Sequence, residues 1–310
     1  MLQVQIVTYN SEDALPACLD SLLLQSRAPD RVLVIDNAST DPTKQVITAY
    51  EHAFHAKNIA YETLFLSVNT GYAAGHNQGI RAALTHHVDF LCTINPDVRM
   101  EPDYLQYAFA DFRLDAQMGG VTGKLLRPQA APSTLTLDSA GLQMQAFYHV
   151  RDRGQEDLDR GQYDEPAYVW GVCGAAAVYR MEMLEHLAYL GQYFDESFFI
   201  YKEDVDLCWR GGERGWKFYY EPRALAWHGR GWKKGDHAST PALIHSFANQ
   251  IALLIKHVPN PTLVLWLSLI VESLRLCGIA VRSPSVANAI LQKIRNEWAT
   301  TWAWRKAVQR

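Results

Sequence analysis

Two nearly continuous apolar runs near the start of the chain each break off in polar residues and lead into a helical pattern. The first is Val4-Gln5-Ile6-Val7, closed by Thr8-Tyr9-Asn10; the second is Arg31-Val32-Leu33-Val34-Ile35, closed by Asp36-Asn37. Leu15, Cys18, Leu19 and Leu22 follow the first at i, i+3, i+4, i+7, the spacing of one helix face. Apolar strands alternating with helices call for an α/β fold whose mostly parallel sheet is covered on both faces. A third run, Val88 to Ile94, ends in Asn95-Pro96-Asp97, where Pro96 holds Asn95 extended and stops the strand. Ligands of such sheets gather at the carboxyl ends of the strands, so Thr8, Asp36 and Asp97 are expected along one edge. The first strand is not followed by Gly-x-Gly-x-x-Gly, which argues against a nicotinamide dehydrogenase.

Asn69-Thr70-Gly71-Tyr72-Ala73-Ala74-Gly75-His76-Asn77-Gln78-Gly79 is a glycine-rich loop entering a helix. Its small residues would let backbone amides approach a phosphate, although an ordinary strand-to-helix turn reads the same way. Residues 127–166 lose periodicity, and the charged stretch Arg151 to Gly161 predicts an exposed loop. Val169 to Arg180 reads as one buried strand and Trp216 to Pro222 as an edge strand, with Trp227-His228 beyond it.

Three carboxylates, Glu203, Asp204 and Asp206, fall within four residues after the aromatic run Phe198-Phe199-Ile200-Tyr201, and Gly211-Gly212 suggests a helix stop. On the short helix between, Glu203, Asp206 and Arg210 share a face, and Asp204 points about 100° away from Glu203. Adjacent acids on different faces can hold different roles. Asp206 with Arg210 also reads as a plain helix ion pair, and first-turn acids as dipole partners.

The net charge of −4 is unevenly spread. From Pro241 onward eight Lys/Arg face two acids, a net of +6, which leaves −10 for residues 1–240. Thr262 to Val281 is apolar enough to approach a bilayer span, but Ser268, Glu272 and Arg275 recur along it as a polar stripe. Lys293, Arg295, Arg305, Lys306 and Arg310 stand beside Trp298, Trp302 and Trp304, as in a helix lying in a membrane interface; a helical cap or homo-oligomer contact fits as well. Five scattered cysteines without zinc or disulfide spacing, and a start that runs straight into a strand, predict a cytoplasmic protein, with the tail at the inner face of the plasma membrane.

The ordered set Val7-Thr8-Tyr9-Asn10-Ser11, Val34 to Asp41, Asn69 to Asn77, Asn95-Pro96-Asp97, Phe194-Asp195-Glu196 with Tyr201 to Cys208, and Trp227-His228 resembles the inverting glycosyltransferases of family 2. Within that family it is similar to the rhamnosyltransferase-like branch of bacterial cell-surface polysaccharide (cell-wall or O-antigen) synthesis. The resemblance covers about residues 3 to 235. Asn95-Pro96-Asp97 departs from the family's commoner Asp-x-Asp by one carboxylate. It implies a GT-A nucleotide-diphosphosugar fold over residues 1–240 with a helical region at 241–310. It further implies Mg²⁺ or Mn²⁺ held by Asp97 with His228, and Asp204 as the base, with Glu203 binding acceptor or orienting the site. Thr8, Tyr9, Asn10, Asp36, Asn37, Asn69, Gly71, Gly75, Asn77 and Asn95 would hold the nucleotide, Asp36 accepting N3–H of a pyrimidine. The expected reaction moves a sugar from a pyrimidine nucleotide diphosphosugar, first dTDP-rhamnose, to a lipid-linked or polysaccharide acceptor. The alternatives are a UDP-hexose donor or a non-catalytic sugar-nucleotide-binding subunit; no nucleic-acid partner is expected.

Overall fold

The computed structural model describes residues 1–128, 135–230, 239–259 and 262–308. The first half builds the alternation expected of it: β1 (Leu2–Thr8), α1 (Leu15–Leu23), β2 (Arg31–Asp36), α2 (Thr43–Ala49), α3 (Glu51–Ala56), β3 (Ala60–Phe65), α4 (Tyr72–Thr85), β4 (Phe90–Ile94), β5 (Val98–Met100) and α5 (Tyr104–Ala110). Then come β6 (Met118–Arg127), β7 (Thr136–Ser139), β8 (Leu142–Met144), β9 (Val150–Asp152), β10 (Ala167–Val169), β11 (Ala176–Arg180), α6 (Met181–Leu187), α7 (Glu203–Glu213) and β12 (Lys217–His228). Three helices close the chain, α8 (Thr240–His257), α9 (Leu263–Arg282) and α10 (Pro284–Val308).

The main sheet runs β10-β12-β6-β11-β4-β1-β2-β3, with β5 on β12 and β7 on β6. β3, β2, β1 and β4 are parallel, as are β6 and β12, while β11 lies antiparallel between β4 and β6. The register sets Thr8 opposite Asp36 and Ile6 opposite Ile94, so the polar residues after β1, β2 and β4 emerge at one edge. His228, the last residue of β12, pairs with Val98 just beyond Asp97 at that same edge. Leu2, Val4 and Ile6 pack with Leu15, Leu19 and Leu22 on one face; Leu91, Ala177 and Tyr179 pack with α4, α6, α7 and α8 residues on the other.

Four expectations need correction. β12 is an interior strand, because Pro222 falls where the register slips between Glu221 and Leu225, a bulge that spares the ladder the missing N–H. Val169 to Arg180 is broken: β10 lies at the sheet edge and β11 inside, with Gly174 in the gap. Parts of the charged stretch are ordered as strand, since Val150–Asp152 pairs with Leu142–Met144. In addition, α7 continues past Gly211-Gly212 and ends ahead of Gly215, whose φ of +83° glycine adopts freely.

The polar stripe of α9 also turns out to face inward. Ser268 and Glu272 are buried and His149 pairs with Glu272 at 2.7 Å, while Leu263, Leu274 and Val281 are 74%, 68% and 86% exposed. The exposed set, with Trp266, Leu267 and Ile270, follows one helical stripe along α9. In α10, Trp304 is buried against Arg210, Lys256 and Tyr189, and Arg305 donates to the Ile255 and Val258 carbonyls. Those two residues therefore stabilise the body and are not free for an interface. Arg310 lies outside the described residues.

Candidate active site

The edge formed by β1 and β2 carries the expected polar residues in two tiers. Tyr9 is half exposed, while Asp36 is wholly buried: Oδ2 accepts the Ser39 N–H at 3.1 Å and Oδ1 the Thr8 hydroxyl at 3.4 Å. Asn10, at φ +49°, accepts from Thr40 N–H at 2.9 Å. Asn37 clasps the glycine-rich loop, accepting from Thr70 N–H at 2.8 Å and donating to the Gly71 carbonyl at 2.9 Å, and Asn69 accepts from Gly71 N–H at 2.9 Å.

The loop itself does not present its amides as a phosphate cradle. Tyr72 N–H and Ala73 N–H both donate to the Phe199 carbonyl, at 2.6 and 3.3 Å, joining the start of α4 to the segment before the acid pair. Gly71, at φ +86°, is required there, since a Cβ would lie 2.5 Å from the Phe199 ring. Gly75 is small because α4 packs on Val7. Asn77 is fully buried and spends its amide on the Tyr193 and Phe194 N–H groups, the Phe194 carbonyl and Glu196. Its partners in this structure belong to the chain itself, so Asn77 ties α4 to the segment before the acid pair.

At the ends of β4 and β12, Asp97 Oδ1 lies 3.4 Å from His228 Nε2, and the Asn95 amide is 3.4 Å from the same nitrogen. On the ring's other side His228 Nδ1–H donates to Asp138 Oδ2 at 2.7 Å. Arg230 bridges Asp138 and Asp152, and Arg127 reaches Asp138 at 3.3 Å. Burial works against charge at Asp138, but His228 and Arg230 outweigh it and hold its pKa at about 2. Burial likewise lowers the imidazole, and the Asp138 and Asp97 contacts more than reverse this, raising His228 to about 9. A carboxylate that fixes Nδ1–H leaves Nε2 as the ligand atom, the usual support of a metal-bound histidine. An oxygen and an imidazole nitrogen facing each other suit Mn²⁺ or Mg²⁺ when the diphosphate supplies further oxygens. Among the described residues no three His, Cys, Asp or Glu side chains form a metal-binding group by themselves.

Glu203 and Asp204 open α7 after an unusual backbone. Phe199 has φ 60°, ψ −60°, and Ile200 N–H donates to the Phe198 carbonyl at 2.6 Å, the strained positive-φ form of the γ-turn. Tyr201 and Lys202 follow at φ 70° and 68°. Three such non-glycine residues within four positions store on the order of 1–3 kcal/mol each, a cost borne mostly at functional sites. Asp204 Oδ2 accepts the Gly174 N–H at 2.9 Å and Oδ1 the Val205 N–H at 2.8 Å. Burial raises the Asp204 pKa, against the pull of those amides. Burial and then Asp204 push Glu203 up to about 8, and Glu203 Oε2 is buried without a hydrogen-bond partner. The two clusters adjoin. The Cys173 thiol is raised by burial and by Asp152, Asp204 and Asp138, and Tyr201 by burial and by Glu203 and Asp97. Asp206 turns the other way, into a buried set with Arg210 (2.9 Å), Lys256 (3.2 Å) and His257 (3.1 Å); Lys256 also pairs with Asp195.

A cavity of about 450 Å³ opens beside Asp97, lined also by Cys18, Trp227 and Gly229. A cleft of about 650 Å³ follows the second half of α7 past Trp170, Trp209 and Trp216. Of these two, the smaller one touches the polar cluster, through Asp97. Asp138, Asp152, Arg230, Gly174 and Tyr72, whose hydroxyl donates to the Gly174 carbonyl at 3.0 Å, were missed in sequence. The one legible signal was the alternation Leu135-Thr136-Leu137-Asp138, a strand period inside the 127–166 stretch, where no strand was assigned from sequence.

Residues 3–187 match the sequence profile of Glycosyl transferase family 2. The chain belongs to glycosyl transferase family 2. The match ends before Glu203, Asp204 and His228, so those residues rest on their geometry. Over 284 residues this family 2 glycosyltransferase is 28% identical to an N-acetylglucosaminyl-diphospho-decaprenol L-rhamnosyltransferase of Mycobacterium tuberculosis, covering 83% of this chain and 85% of that protein. Over 222 residues it is 24% identical to a poly-beta-1,6-N-acetyl-D-glucosamine synthase of Staphylococcus epidermidis, covering 72% of this chain; the chain spans about half (48%) of that synthase's length. Its fold is similar to that of a mannosyltransferase from Pyrobaculum calidifontis in complex with GDP-Man and Mn²⁺, with a TM-score of 0.55, 17% identity and coverage of 99% of this chain and 85% of that one. The family 2 glycosyltransferase thus has the mixed α/β GT-A architecture expected from its sequence, followed by C-terminal helices.

Proposed function

We propose that the protein is an inverting rhamnosyltransferase that uses dTDP-rhamnose and a lipid-linked saccharide acceptor. The observation that carries the transferase chemistry is the Asp97–His228–Asp138 relay set against the Glu203-Asp204 pair. The rhamnosyl donor is supported by the mycobacterial relative, which spans most of both chains. Asp204 takes the proton of the acceptor hydroxyl as its oxygen bonds to the anomeric carbon; the bond from that carbon to the diphosphate breaks, and the electron pair leaves on the nucleoside diphosphate. A divalent cation bound between Asp97 and His228 would neutralise that leaving group. Each Asp204 oxygen accepts one amide and keeps lone-pair capacity for the proton. At the nucleotide, the 3.4 Å Thr8 contact of Asp36 is the one that a pyrimidine N3–H would replace. A thermal-shift screen of dTDP-rhamnose, UDP-glucose, UDP-N-acetylglucosamine and GDP-mannose with Mn²⁺ tests the reading. Selective stabilisation by dTDP-rhamnose is expected, and stronger stabilisation by GDP-mannose would overturn it.

The acceptor reading includes contact of α9 with an anionic bilayer surface on the cytoplasmic side. By length and composition α9 could cross a membrane, but its polar residues Ser268 and Glu272 are packed into the body and its apolar stripe faces out. A helix so oriented lies along an interface, with exposed Arg282 at its end for anionic headgroups.

A further inference from the structure

Of the γ-turn and left-handed residues ahead of Glu203, α7 itself binds Lys202, whose carbonyl accepts the Asp206 N–H at 2.9 Å. The carbonyls before it are held by α8, from the far end of the sequence. Asn249 Nδ2 lies 3.0, 3.0 and 2.7 Å from the carbonyl oxygens of Phe198, Ile200 and Tyr201, which share its two N–H hydrogens. One turn earlier on α8, the His245 ring stacks on Phe199 at 5.1 Å and 19°. From the opposite side the first amides of α4 bind the Phe199 carbonyl. Asn249 is buried to 1%, and its Oδ1 has no hydrogen-bond partner. An amide that leaves its oxygen unpaired in the interior is normally selected against, so its value lies in the donor end. Reversing the amide would set an oxygen against three carbonyl oxygens, which fixes its orientation.

We propose that Asn249 is a positioning residue of the transfer reaction: by gathering three carbonyls it holds Phe198 to Lys202 in the strained conformation that presents Glu203 and Asp204. The proposal rests on the acid-pair reading above. It assigns to the C-terminal region a part in acceptor activation besides any part in membrane contact. Three carbonyls pointing at one locus repel one another without a donor between them. Residues at φ near +60° would then relax toward ordinary conformations and turn the first residues of α7.

The test compares full-length Asn249→Ala, the isosteric Asn249→Asp, Asp204→Asn and, as a neighbour control, Gln250→Ala, whose lost bond is to the Tyr148 carbonyl. Transfer is assayed with dTDP-rhamnose and a synthetic polyprenyl-diphosphate N-acetylglucosamine, dTDP binding by calorimetry, and backbone order by amide hydrogen exchange. Both Asn249 variants are expected to lose roughly tenfold or more in kcat with dTDP affinity within about twofold. Exchange should accelerate at 199–204 and stay slow in the middle of α8. Asn249→Asp should be the worse of the two although it preserves volume, because it removes the donor and adds a charge; a packing role alone predicts the reverse. Gln250→Ala should keep both kcat and exchange at 199–204. Unchanged exchange at 199–204, or acceleration spread evenly over α7 and α8, would overturn the proposal. So would normal kcat in Asn249→Ala beside a dead Asp204→Asn. If Asp204→Asn itself turns over normally, the acid-pair reading has failed, and the exchange pattern and the order of the two Asn249 variants still decide whether Asn249 sets the segment's conformation.

Discussion

Gly174 N–H and the Asp204 carboxylate meet at 2.9 Å across the break between β10 and β11, and a Cβ on Gly174 would stand 3.0 Å from that of Asp204. The amide aims the carboxylate and the missing side chain leaves room for it. Asp204→Asn keeps this shape and removes the base. We expect turnover to fall roughly 10²-fold or more with donor affinity retained. Glu203→Gln should show a smaller loss, felt mainly in acceptor KM. Steady-state kinetics on both variants checks the assignment, and a dead Glu203→Gln beside an active Asp204→Asn would exchange the roles.

Glu203 gives the fold a pH dependence of definite sign. Its carboxyl rises from 4.5 to about 8 through burial and then Asp204, so the native state holds a proton that the unfolded chain releases. Stability from this group is fully present below about pH 4.5 and is lost as pH climbs through about 8. Glu203→Gln should therefore leave the urea midpoint nearly unchanged at pH 5 and raise it at pH 8.5. A midpoint lowered equally at both would show that Glu203 is held as a charge.

Loss of Asp97 should separate metal binding from folding. Asp97→Ala is expected to abolish the Mn²⁺-dependent part of dTDP binding in calorimetry and to leave the melting temperature within a few degrees, since its side chain is 22% exposed. Undiminished transfer in excess EDTA would refute a metal role altogether.

The α9 stripe predicts which surface meets lipid. Ile270→Glu places a charge on the exposed face without touching the buried Ser268 and Glu272 side. Burial of one such side chain in lipid is worth about 1.5–3 kcal/mol, so binding to phosphatidylglycerol vesicles should weaken about tenfold or more at low salt. Equal binding by the variant would reject this face. A wild-type dimer dissolved by the same substitution in light scattering would assign it to a second copy of the chain.

The parallel half of the sheet was legible because each of its strands and helices carries its own period, and the register then brings Thr8, Asp36 and Asp97 to one edge without further information. Pro222 misled, since a proline inside a central strand is tolerated only through a bulge that shows in the pairing and not in the local sequence. Asn77 has a further part that its setting in a polar, glycine-rich loop did not show, because its partners at 193–196 are remote in sequence. The roles of Asp138, Asn249 and Lys256 were beyond local reading. Each lies in a segment whose pattern is only strand or amphipathic helix, and each acquires its meaning from residues roughly 50 to 90 positions away.

The dependence of residues 198–206 on α8 has a consequence for how the chain is made. Synthesis delivers the sheet and the donor-side edge first, with Asp206 already present and no Lys256 or His257 to meet it. Until residue 257 has left the ribosome, Asp206 has Arg210 beside it but not the Lys256 and His257 that complete its buried set. The start of α7 therefore reaches its final form only after α8 has been made, although its own residues are some forty positions earlier.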